Sequence, residues 1–152
     1  MFVGASGCGG LEQARQAGNE SSAIASLRVI VSAQIVYSAT CGAGTYAPSL
    51  RQLGARPTGY EPFLTPDLSV DPAVRNGYTI TMTPGPVADD SPASCNGLAA
   101  GRGVRSFFVT AAPATRGARF FATNTEAKVY ASTEPIPVTL SGAPPAPAVE
   151  MK

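Results

Sequence analysis

Residues 11–40 contain no proline, and Gly18 is their only glycine. Elsewhere the chain is punctuated heavily: 16 glycines and 14 prolines in 152 residues. Both residue types break helices, so 11–40 is the one stretch open to a long helix. Its apolar residues keep helical spacing. Ile24, Leu27, Val31 and Ile35 recur at i, i+3, i+7 and i+11, and Ala23, Leu27, Ile30, Gln34 and Tyr37 form a second row beside them. The two rows make an arc wider than a surface helix needs to cover one core. Glu12, Arg15, Glu20 and Arg28 supply the polar remainder, and Gly42 and Gly44 supply a stop. Thirty helical residues span about 45 Å, while a compact chain of this size is roughly 40 Å across. The N-terminal part of the helix is therefore expected to protrude, and either the helix breaks at Gly18 or a partner covers the second apolar row.

The remainder reads as loops and short strands. Pro48, Pro57, Pro62, Pro66 and Pro72 exclude regular structure from most of 41–76, a long loop pinned by Tyr46, Leu50, Leu53, Tyr60, Phe63, Leu64 and Leu68. Tyr78, Ile80 and Met82 alternate with threonines over 78–83, the first strand. A loop over 84–103 follows, then strands at 106–111, 119–123 and 128–132, the last two joined by the turn Asn124-Thr125-Glu126-Ala127. The expectation is an α+β domain: a long N-terminal helix laid on a four-stranded antiparallel meander, with a long connecting loop. The chain divides into an atypical N-terminal segment 1–10, a globular domain 11–133 with its helix at 11–40, and a Pro-rich tail 134–152. That tail reads as extended and mobile.

Composition removes several functions. Charged residues are 14% of the chain, the net charge is +1, and there is no run of Lys or Arg, so the basic footprint of nucleic-acid binding is missing. With no histidine, His-based triads and His metal sites are excluded. No serine or cysteine has an evident base, and Lys128 and Lys152 stand apart. The chain reads as no enzyme, with no catalytic residues and no cofactor. Asp67 and Asp71, and the pair Asp89-Asp90, lack the spacing of a calcium loop and read as turn caps, so no metal site is assigned. Gly42-Ala43-Gly44 and Gly101-Arg102-Gly103 read as turns, and the triplet Asn19-Glu20-Ser21 lies mid-helix, where glycosylation is not expected.

Three cysteines remain. Cys41 and Cys95 lie 54 apart in sequence, each beside turn residues where chains can approach. A bridge between them would stabilise the fold by roughly 4 kcal/mol through loop closure and would need an oxidising compartment; the alternative is two buried thiols. Cys8 follows Ala5-Ser6-Gly7, small residues of the kind that precede a lipidated cysteine. Met1-Phe2-Val3 is too short for the apolar core of a secretion signal, and no stretch of about 20 apolar residues stands out as a membrane span.

Read as a unit, Leu11 to Tyr37 resembles the soluble half of the long helix of type IV pilins and pseudopilins. The family pattern of Asn19-Glu20-x-x-Ala23, then Leu27-Arg28-x-Ile30, then Ala33-Gln34 and an aromatic, Tyr37, is matched in order. Tyr46-Ala47-Pro48-Ser49-Leu50 with Leu53-Gly54 is similar to the loop that follows. Asp67-Leu68-Ser69 with Asp71-Pro72 and Gly77-Tyr78 is similar to the lead-in to the first strand. Phe107 to Ala111 and Arg119 to Thr123 resemble two later strands. The resemblance covers roughly 11–142, closest to members with a cysteine at the helix end and another in a later loop. It implies a structural subunit of a pilus-like or secretion pseudopilus filament, exported through the periplasm to the cell surface, serving adhesion, motility or secretion. Partners would be other pilin subunits, contacted through Ile24, Leu27, Ile30, Val31, Ile35 and Tyr37. Residues 1–10 do not match the family's leader and apolar half-helix, so membrane attachment is expected only through such a helix upstream or on a separate short chain. The rival expectation is a secreted or lipid-anchored pilin-like binding module.

Overall fold

The computed structural model describes the backbone of residues 3–151 and the side chains of residues 10–151. Helix α1 runs over Val3–Thr40, so it begins earlier than the expected 11 and spans about 57 Å. Short α2 is Leu50–Leu53, and a 3-10 turn covers Pro66–Leu68. Six strands follow: β1 Ala73–Arg75, β2 Tyr78–Pro84, β3 Phe107–Pro113, β4 Phe120–Asn124, β5 Val129–Ser132 and β6 Val149–Glu150. They form one antiparallel sheet in chain order. The chain is α+β, with a long helix on a meander.

Register puts Ile80 opposite Ala111, Ala111 opposite Phe121, and Phe121 opposite Ala131. These four side chains point to the same sheet face. Ala23, Leu27, Ile30, Val31 and Tyr37 of α1 press onto that face and complete the main core. Apolar burial there is the main force that holds helix to sheet. Tyr37 stands edge-on to Phe63, with ring centroids 5.6 Å apart, so the long loop joins the same core.

Four strands were expected and six are present. β1 was hidden by the prolines around it, yet its signal is in the sequence. Asn76-Gly77 is a two-residue hairpin loop between Arg75 and Tyr78, with both residues left-handed (φ 51° and 79°). The sixth strand corrects the picture of the tail. Residues 134–148 cross the back of the sheet, where Ile136 and half-buried Leu140 cover Phe108 and Ala122. Asn124, almost fully buried, donates through its Nδ2 to the carbonyls of Thr139 and Gly142, at 2.8 and 3.1 Å. The Glu126 carboxylate accepts from the Gly142 amide at 2.7 Å. The tail then returns as β6 beside β5. An extended Pro-rich segment stays ordered when side chains saturate its backbone groups.

By length and composition the stretch Gly10–Thr40 satisfies the requirements of a membrane span, contrary to expectation. In this fold Leu27, Ile30 and Tyr37 of that stretch are committed to the sheet.

Candidate functional site

The C-terminal half of α1 is locked in place at several points. At its end the amides of Cys41 and Gly42 both donate to the Tyr37 carbonyl, at 2.8 and 2.7 Å, and Gly44 closes on Ser38. A side chain at Gly42 would collide with the Thr45 carbonyl and the Tyr37 ring, so only glycine fits there. Cys41 is bonded to Cys95, which ties the helix end to the loop over 84–103. Nearly two helical turns earlier, Gln34 is wholly buried. Its Nε2 donates to the Ala47 carbonyl and its Oε1 accepts from the Ala47 amide, both at 2.9 Å. That amide side chain acts as one rung of a ladder for the loop.

Near the middle of α1, Glu20 reaches Arg119 at the start of β4. Its carboxylate accepts from Arg119 Nη2 at 3.0 Å, and from Nε and the Arg119 amide at 3.2 Å. Burial acts to raise the Glu20 carboxyl, but the hydrogen bonds and charge of Arg119 outweigh it and hold the group below its ordinary value. Burial, together with the Glu20 charge, pushes the Tyr78 phenol up to about 12. Its hydroxyl donates to the Arg119 carbonyl at 2.8 Å. N-terminal to this lock, residues 10–15 are all exposed.

The loop carboxylates serve the backbone. Asp71 accepts from the amides of Leu50 and Arg51, both at 2.9 Å, and so caps α2. Asp67 accepts from the Thr65 hydroxyl and faces Arg75 at 3.6 Å; the Thr65 hydrogen bond, with that charge, holds its carboxyl below its ordinary value. Asp90 faces Arg105 at 3.5 Å. Among the described residues no three metal-ligating side chains converge.

The expected contact residues separate into two groups. Leu27, Ile30, Val31 and Tyr37 are buried in the chain's own core, and Ile24 is half-buried against it. None of these four buried side chains can meet a partner without unfolding the domain, so they leave the candidate surface. Ile35 remains, 54% exposed, and neighbours that the two-row reading overlooked join it: Val29 and Val36, with Leu11 farther down. Leu11, Ala14, Gly18, Ser21, Ala25, Val29, Ser32 and Val36 follow steps of three and four residues, and every one is exposed. This third row was readable from spacing alone; its small residues gave it too little weight. At its upper end Arg28, Val29, Ser32, Ala33, Val36 and Phe63 line an open apolar groove of about 500 Å³. Phe63 comes from the long loop, and no helix periodicity could have placed it there. Cys8 falls in the helical stretch whose side chains lie outside the described residues.

A smooth, mostly apolar face of this kind can take another helix. Compared with family models, curated proteins and solved structures, the chain matches none.

Proposed function

We propose that this chain is a structural subunit that assembles through the outer face of α1, as the globular head of a type IV pilin-like protein. The carrying observation is the exposed row on α1 that ends in the groove around Val29, Val36 and Phe63. Soluble proteins normally turn a polar face outward. Here Val29, Ile35 and Val36 stay roughly half exposed while the opposite face already fills the core. Small residues such as Gly18, Ser21 and Ala25 let a second helix approach closely. A helix about 57 Å long on a body about 40 Å across leaves roughly its first eleven residues free to enter a neighbour. Repeated head to tail, such a heterologous contact builds an open filament rather than a closed ring. The long helix, the antiparallel meander and the disulfide are in keeping with this reading, and the disulfide favours an exported, cell-surface location.

The test is recovery of surface filaments from cells producing the chain. The native chain should be a filament component, and Val36→Asp should be lost from filaments while the purified variant keeps its melting temperature. Retention of Val36→Asp in filaments, or absence of the native chain from any assembly, refutes the proposal.

A further inference from the structure

Beyond Phe63, on the side away from the helix groove, a second cavity of about 580 Å³ opens at the C-terminus of α1. Thr40, Thr58, Tyr60, Glu61, Phe63 and Cys95 line it. Its chemistry has one sign. The helix ends here with no basic residue in its last turn, so no cation of its own offsets the partial negative charge of its carbonyl end, where the Thr40 hydroxyl donates to the Val36 carbonyl at 2.7 Å. Glu61 adds a carboxylate. Tyr60, 74% exposed, and Phe63 add aromatic rings, whose faces attract cations. Among the described residues no cationic side chain lines the cavity. Arg56, outside the lining, leans on Glu61 at 3.5 Å and on the Tyr60 carbonyl at 3.4 Å. Both partners of that ion pair are largely exposed, so a ligand can displace it at little cost.

We infer that this cavity is a binding site for an alkylated ammonium group, held between the aromatic rings and the Glu61 carboxylate below the helix end. The volume leaves room for the molecule that carries the group. This inference does not depend on filament assembly. Neutral ligands would gain only the apolar walls, whereas a quaternary ammonium gains the rings, the carboxylate and the helix terminus together.

The probe is choline, titrated into the full chain and followed by NMR, beside its neutral isostere 3,3-dimethylbutan-1-ol. Choline should saturate and bind about tenfold more tightly than the isostere, and Tyr60→Ala should weaken it about tenfold. Tyr60 is so exposed that its loss leaves the fold intact. Arg56→Gln removes the internal competitor and should tighten choline about twofold. Co-sedimentation with phosphatidylcholine vesicles would identify a headgroup as the source, and choline binding without it a free solute. Equal affinity for the isostere, weaker binding in Arg56→Gln, indifference to Tyr60→Ala, or no saturation by roughly 100 mM choline would each overturn the assignment.

Discussion

The two faces of α1 between Ala23 and Tyr37 are both apolar, and the fold treats them oppositely. Leu27, Ile30 and Tyr37 lose all contact with solvent against the sheet, while Val29, Ile35 and Val36 keep about half of theirs. The residue types barely differ. The difference comes from what each face meets: one meets a sheet registered strand by strand, the other a shallow groove with a single loop aromatic, Phe63. Apolar character thus stands on both faces of one helix, committed to folding inside and, in the proposed assembly, left for association outside. Only the three-dimensional arrangement says which is which.

The sharpest way to break that contrast is to exchange the damage. Leu27→Ala should destabilise the isolated domain by about 3 kcal/mol, seen as a drop in denaturant midpoint, because it opens a cavity in the packed core. A loss under about 1 kcal/mol would place Leu27 outside the core. Removing the Cys41–Cys95 bond by a double serine substitution should cost about 4 kcal/mol by the same measurement. Gln34→Leu leaves the buried Ala47 amide and carbonyl unpaired, and a loss of about 2 kcal/mol is expected. Faster amide exchange at Ala47 would locate the damage in the loop.

Smaller effects follow at the edge of the comparison. The Glu20 carboxyl is held below its unfolded value, so the stability it adds is present above the unfolded value near 4.5 and is lost as pH falls through the folded one. Glu20→Gln should therefore flatten the acid limb of the stability–pH curve below about pH 4.5, and an unchanged limb would remove the Arg119 contact from the account. On the outer face, Val29→Ser should shift stability by no more than about 0.5 kcal/mol while weakening association. A large loss of stability there would merge the two faces into one core.

The long helix was legible from the absence of proline and from its spacing, β2 from alternation, and β3, β4 and β5 as short segments between loops and turns, each within about two residues. Much of the rest was not, for physical reasons. β1 is three residues long and leans on its Asn76-Gly77 turn rather than on any pattern of its own. β6 and the tail are ordered by Asn124 and Glu126, whose polar side chains reach across 15 to 18 residues, and composition registers such contacts as coil. The candidate surface was legible as a helix but not as a face. Two overlapping rows shared Leu27, and period alone cannot decide which row turns inward when a third, built of small residues, completes the circle. Phe63 entered the surface through loop packing, which sequence spacing does not encode.

The most direct measurement is photocrosslinking in producing cells, with benzoylphenylalanine placed at position 36 and, as control, at exposed position 138. The account predicts adducts from 36 that map by mass spectrometry to the N-terminal half of α1 in another copy, and none from 138. Equal yields from the two positions, or no adduct at 36, would contradict it.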